Sequence, residues 1–163
     1  MLSDLQRQQV WEGWLGAEIR AYYFADLCGR YDRLQKAATW ATLALSSSAF
    51  AAMIANGLQA HYSWLAPVLT FLTAAISLYS LVAQNQKKAF DSADLHFRWN
   101  TLARDYSALW DDMYSEDAAR RFTALVQREL EASKSGTAFP FKPRRMLKWQ
   151  ELVEQHHRLE RAA

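Results

Sequence analysis

The chain has 163 residues, of which 22% are charged, and its formal net charge at pH 7 is +2. This small charge gives no reason to expect a nucleic-acid partner, and the length suits one structural unit. A single cysteine, Cys28, excludes an intrachain disulfide and a zinc ribbon and is compatible with a reducing compartment. Five glycines and three prolines leave few breaks between helices, so we predict an all-α fold.

Residues 1–36 are predicted to form an N-terminal cytoplasmic helix rich in aromatic side chains. Any break in this helix is expected near Gly13 and Gly16, because glycine is the main breaker in the segment. We expect the aromatic residues between Trp11 and Tyr31 to pack against other helices of the chain. The alternative is an aromatic strip that faces the membrane interface or a partner.

Residues 37–86 contain no Asp, Glu, Lys or Arg. Soluble helices rarely avoid charge for so long, because some face or end usually meets water. The Asn56-Gly57 turn divides the segment into 37–58 and 64–84, which as helices would be about 33 and 31 Å long, close to the bilayer core of about 30 Å. The pattern predicts a transmembrane hairpin over 37–86, and a hairpin buried in a soluble bundle is the alternative.

Basic residues flank the hairpin on both sides and are absent from its loop. Cytoplasmic loops carry an excess of lysine and arginine. We therefore expect a multi-pass protein of the cell inner (cytoplasmic) membrane, with both termini in the cytoplasm and the lipid bilayer as a partner. The flanking residues are Arg20, Arg30, Arg33, Lys36, Lys87, Lys88, Arg98 and Arg104.

Both predicted spans carry small and hydroxyl-bearing residues at helical spacing, which a plain lipid anchor does not require. In the first span, Ala44, Ser48 and Ala52 form a candidate helix-packing row. Such rows serve either to pack the two spans together or to line a water path in a homo-oligomer. The candidate pore-lining residues of the second span are Thr70, Thr73, Ser77, Ser80 and Gln84.

Residues 87–163 are predicted to form a cytoplasmic helical region, with helices at 87–113, 115–133 and 144–161. In the first of these, six residues follow heptad spacing and predict a seam for another helix. We expect an oligomer seam between copies, or a contact with the following helix of the same chain. The six residues are Leu95, Trp99, Leu102, Tyr106, Leu109 and Met113.

No motif for catalysis or cofactor binding occurs in the sequence. It contains no glycine-rich phosphate loop, no GxSxG and no HExxH. His156 and His157 are adjacent, so on a helix they point about 100° apart and cannot share one metal ion. We interpret them as a solvated surface pair and predict no catalytic residue, no cofactor and no metal site.

The charge-free hairpin, its basic flank and the following helix, WNTLARDYSALW at residues 99–110, together resemble the SLATT family, the two-transmembrane effector domains of bacterial conflict systems. The resemblance implies a membrane effector that forms pores and kills or arrests an infected cell. It also implies a nucleotide-producing or nucleotide-sensing protein encoded nearby. We expect the trigger to be such a separate sensor protein or a small ligand.

The expected fold is thus an all-α membrane protein, in which a two-helix transmembrane hairpin joins N-terminal and C-terminal cytoplasmic helices that form a bundle. The expected function is that of a bacterial anti-phage effector, an oligomeric pore-forming or membrane-disrupting protein that is not an enzyme. The alternative is a membrane-anchored adaptor whose cytoplasmic helices recruit a partner. Leakage from vesicles upon activation distinguishes these two functions.

Overall fold

The computed structural model describes residues 2–47 and 65–162. Within these ranges the chain is helical and contains no β-strand, which confirms the predicted all-α class. The helices are α1 (Asp4–Ser46), α2 (Leu65–Ala83), α3 (Asn85–Asp111), α4 (Ala118–Gly136) and α5 (Pro143–Ala162). The ends of α3, α4 and α5 lie one to three residues from those expected at 87–113, 115–133 and 144–161.

The first helix is longer than the predicted N-terminal helix, because α1 continues through residue 36 to Ser46 without interruption. It contains no proline, and a helix tolerates an isolated glycine at a cost of about 1 kcal/mol. A reciprocal cap starts it: the Ser3 N–H donates to Gln6 Oε1 at 2.9 Å, and the Gln6 N–H donates to Ser3 Oγ at 3.3 Å. This capping box satisfies two of the N–H groups that a helix start leaves open.

The chain divides into two compact units, Met1–Leu27 with Asp91–Ala163 (unit 1) and Cys28–Phe90 (unit 2). In unit 1, the ring centroids of Trp11 and Trp110 lie 5.3 Å apart, and His96 Nδ1 lies 2.9 Å from the Ala21 carbonyl oxygen. The lower-numbered residue of α1 thus meets the higher-numbered residue of α3. These two helices therefore run antiparallel.

Polar pairs give the directions of the other two helices of unit 1. Their order along the chain shows that α4 is antiparallel to α3 and that α5 is antiparallel to α1, so unit 1 is an up-and-down bundle of the kind built from short connections. The pairs are Asp105–Arg128 at 2.5 Å, Asp112–Arg121 at 2.7 Å, Asp26–Arg145 at 3.1 Å and Glu18–His157 at 2.8 Å.

The heptad row of α3 lies in the core of unit 1. Leu95, Trp99, Leu102, Tyr106 and Leu109 are each at most 2% exposed, and Met113, beyond the end of the helix, is half-buried. Their surface is covered by the chain itself. Leu95 to Leu109 therefore pack against other helices of the same chain, and their role as a seam between copies stays a prediction.

In the part of the chain that the structure describes, no helix has both the length and the apolar character that crossing a membrane requires. The prediction of a multi-pass protein in the cell inner membrane, with both termini in the cytoplasm, is therefore wrong. Of the predicted hairpin, residues 37–46 belong to α1 and residues 65–83 form α2. Residues 48–64, with the predicted turn, lie outside the described residues.

A sharp break separates α2 from α3. Gln84 has a φ of 48°, in the left-handed region that side chains with a Cβ rarely adopt. Its carbonyl oxygen accepts a hydrogen bond from the Lys88 N–H at 3.0 Å, so α3 begins directly after the break. Gln84 is therefore the single residue that separates the two helices.

Candidate functional site

A cavity of about 630 Å³ lies in unit 1 between α1, α3, α4 and the start of α5. Its volume falls within the range of about 300–1,000 Å³ that is usual for small-molecule sites. The connection between α4 and α5 forms part of its wall. The wall is largely apolar and aromatic and includes Ile19, Tyr23, Phe24, Trp99, Phe139 and Met146.

Arg20 brings a positive charge to this wall. Its guanidinium carbon lies 4.7 Å from the ring centroid of Trp99, a cation–π contact. Its Nη1 lies 3.4 Å from Glu129 Oε1, which is long for a charged hydrogen bond. Because the Arg20 side chain is also 38% exposed, this ion pair is weak. The guanidinium therefore retains donors for a further acceptor.

The carboxylate of Glu129 contacts two side chains, Tyr106 and Arg20. Its Oε2 accepts a hydrogen bond of 2.8 Å from the Tyr106 hydroxyl, while its Oε1 faces Arg20. Burial of the phenol, reinforced by this bond and by the negative charge of Glu129, raises the pKa of Tyr106 above its ordinary value. Tyr106 thus stays neutral and positions the carboxylate that faces Arg20.

The indole N–H of Trp99 is buried and has no hydrogen-bond partner among the described residues. Trp99 is 1% exposed and forms part of the cavity wall. A buried donor without an acceptor costs about 1–3 kcal/mol. An acceptor that reached this nitrogen would remove the cost.

The connection between α4 and α5 is attached to α1. The Tyr23 hydroxyl donates a hydrogen bond of 3.0 Å to the Pro140 carbonyl oxygen, and the rings of Phe24 and Phe139 meet edge to face at 5.8 Å. These contacts hold one wall of the cavity in place. No local pattern pointed to the cavity, because it depends on partners such as Tyr23 and Pro140 that are 117 positions apart.

A second polar cluster in unit 1 surrounds His157. This side chain is 7% exposed, and its Nε2 lies 2.8 Å from Glu18 Oε2. The rings of Trp11 and Trp14 contact it at centroid distances of 5.5 and 4.9 Å. His156 is exposed and its ring meets the His157 ring edge to face at 5.8 Å, so interpreting both histidines as solvated was wrong for His157. Over residues 2–47 and 65–162, no group of three or more His, Cys, Asp or Glu side chains could hold a metal ion.

The predicted pore-lining residues lie on α2 or at its end, in unit 2. Thr73, Ser77 and Ser80 are half-buried, whereas Thr70 and Gln84 are exposed. The hydroxyl groups of the last three turns thus lie on the better-covered side of the helix.

The end of α1 that belongs to unit 2 exposes large apolar side chains. Trp40 is 72% exposed and Leu43 is 55% exposed. Ala44, one of the predicted helix-packing residues, is exposed as well, while Ser48 and Ala52 lie outside the described residues.

A row of apolar residues on α2 is exposed at heptad spacing. Val68, Phe71, Ala75, Leu78 and Val82 follow alternating steps of three and four, and exposure within the row reaches 80% at Val82. Apolar residues at this spacing normally contact another helix. This apolar row is thus exposed, whereas Thr73, Ser77 and Ser80 on the same helix are half-buried, the reverse of the usual pattern of an amphipathic helix.

No known protein family, curated protein or solved structure matches this chain. The resemblance to the SLATT family therefore stays a prediction. The function has to be argued from the chain's own residues.

Proposed function

We propose that this protein is a self-associating helical adaptor, in which α2 pairs with α2 of a second copy and unit 1 recruits a further partner. The observation that carries the proposal is the exposed heptad row of α2, from Val68 to Val82. Leaving apolar area in water forgoes about 25 cal/mol for each Å². Contiguous exposed apolar surface is typical of protein interaction sites.

The absence of charge on α2 favours a second copy as the occupant of this row. The helix LAPVLTFLTAAISLYSLVA carries no Asp, Glu, Lys or Arg. Two copies can therefore meet without repulsion, and no charge pattern beside the row selects a different helix. A two-fold axis would place the same row on both sides of the contact. Ala75, near the centre, lets the two helix backbones approach closely.

The proposed adaptor does not rely on a membrane anchor. A pore lined by α2 requires membrane-spanning helices, and the described residues contain no such helix. Partner recruitment by helices does not have this requirement. Unit 1 supports the recruiting role because it has its own buried core and a cavity.

The mass of the full chain in solution tests the proposal. We expect analytical ultracentrifugation at micromolar concentration to give a discrete multiple of the 18.8 kDa chain mass. The double variant Leu78→Glu with Val82→Glu should be monomeric, because pairing would bury carboxylates at a cost of several kcal/mol. Both substituted side chains are more than half exposed in the single chain, so folding should be retained.

A matched control introduces two glutamates at exposed apolar positions of unit 1. Leu130 and Leu159 are 60% and 64% exposed, compared with 62% for Leu78 and 80% for Val82. The variant Leu130→Glu with Leu159→Glu should keep the mass of the unaltered protein. A monomeric unaltered protein, or an oligomer that survives the changes on α2, would refute self-association through this row.

A further inference from the structure

We infer that the cavity of unit 1 is a binding site for a small amphipathic anion, a ring-bearing organic molecule with a carboxylate or similar anionic oxygen group. The inference rests on the cavity wall, Arg20 and Trp99. It does not depend on self-association through α2, which lies in the other unit.

The size and walls of the cavity determine the apolar part of the ligand. A volume of about 630 Å³ accommodates a molecule with one or two rings and leaves room for a substituent. Phe24 and Phe139 present aromatic surface and Ile19 and Met146 present aliphatic surface. Flat rings pack well against such walls, and methionine adapts to an irregular shape.

Arg20 determines the charge of the ligand. Arg20 lines this cavity and also a neighbouring pocket that contains Glu129, whereas Glu129 does not line this cavity. Glu129 already accepts the Tyr106 hydroxyl and contacts Arg20 only at 3.4 Å. An anionic oxygen in the cavity would therefore meet an incompletely paired guanidinium, and such charge-assisted hydrogen bonds are strong and directional.

Trp99 gives a second, independent indication of an acceptor. Its buried N–H lacks a partner among the described residues, although native proteins satisfy most buried donors. The ring that carries this nitrogen stacks under Arg20 and borders the cavity. An indole N–H without an acceptor and a weakly paired guanidinium thus occur side by side at the cavity, which favours a ligand oxygen over a purely apolar ligand.

Nuclear magnetic resonance of the indole N–H groups in the ¹⁵N-labelled full chain tests this inference. The Trp99 signal is assigned from its loss in Trp99→Phe. The probes are 1-naphthoate and its neutral analogue 1-naphthalenemethanol. We expect both to shift the Trp99 signal saturably, with naphthoate binding more tightly by about tenfold, the effect of one good charge-assisted hydrogen bond.

Variants of Arg20 separate charge recognition from shape. Arg20→Gln should weaken naphthoate binding by about tenfold and change naphthalenemethanol binding by less than about twofold. Arg20→Lys keeps the positive charge beside Glu129, which Arg20→Gln removes. Arg20→Lys should therefore retain most of the preference for naphthoate. Equal affinity of the two probes for the unaltered protein, or an equal loss of both in Arg20→Gln, would refute recognition of an anion.

Two tryptophan substitutions on α4 test the location. Ser133 lines the cavity and is exposed at its edge, so Ser133→Trp should block both probes. Ser135 is exposed on the same helix but does not line the cavity, so Ser135→Trp should bind both probes normally. Binding that persists in Ser133→Trp but disappears in Leu78→Glu with Val82→Glu would assign the probe to α2 and overturn the inference. A monomeric protein that still shows the Arg20-dependent preference would refute only the proposed self-association.

Discussion

Gly13 of α1 lies so close to Tyr106 of α3 that a methyl group on Gly13 would be 2.7 Å from Cζ of the tyrosine ring. The ring cannot easily move away, because Tyr106 is 1% exposed and its hydroxyl is bonded to Glu129. Overpacking of a core costs about 1–3 kcal/mol, more than the gain of about 1 kcal/mol from replacing glycine in a helix. We expect Gly13→Ala to lower the free energy of unfolding, measured by urea denaturation.

Gly29, in the same helix, provides the matched control for this substitution. A Cβ at Gly29 would meet nothing within 4 Å, so only the helix propensity changes. Gly29→Ala should raise the free energy of unfolding by about 0.5–1 kcal/mol. If both substitutions stabilised the protein equally, the close approach of α1 and α3 would be disproved.

The buried heptad row of α3 makes a second prediction. Leu102 is 2% exposed, and its replacement by alanine leaves a cavity in the core of unit 1. Such replacements cost about 2–5 kcal/mol. Leu130→Ala, at a position that is 60% exposed, should change stability by no more than about 0.5 kcal/mol. Similar thermal midpoints for the two variants would contradict the burial of the α3 row.

Because the pKa of Tyr106 is raised in the folded chain, the free energy of unfolding should depend on pH in the alkaline range. The unfolded chain releases this proton near pH 10, whereas the folded chain holds it, so folding binds a proton above that pH. The contribution to stability is complete below about pH 10 and is lost as the pH rises towards the folded-state pKa. The free energy of unfolding should therefore fall more steeply above pH 10 in the unaltered protein than in Tyr106→Phe. Identical slopes for the two proteins would exclude this effect.

The contact between His157 and Glu18 should appear as a coupling energy. We expect a double-mutant cycle with Glu18→Ala and His157→Ala to give about 0.5–3 kcal/mol, because the two side chains are in direct contact. His156→Ala, at the exposed neighbour, should change stability by no more than about 0.5 kcal/mol. Additive effects of the Glu18 and His157 changes would show that their contact does not contribute to stability.

The membrane prediction shows the limit of reasoning from local composition. The sequence correctly indicates where charge is absent, over residues 37–86. However, residues 37–46 are the end of a helix whose earlier part carries ionised side chains, including the Asp32–Lys36 pair at 2.7 Å. Among the described residues, neither α1 nor α2 has both the length and the apolar character that a span requires.

The helical class and the buried face of α3 follow from the sequence alone, because both depend on the spacing of neighbouring residues. Leu95 to Leu109 repeat every three or four positions, so one face of the helix collects them whatever the rest of the chain does. Only the tertiary structure decided that this face is covered by the chain itself and that His157 is buried. It alone brought Arg20, Trp99 and Glu129 together beside a cavity, because such contacts join residues far apart in the chain. Burial likewise depends on which helices pack around each side chain.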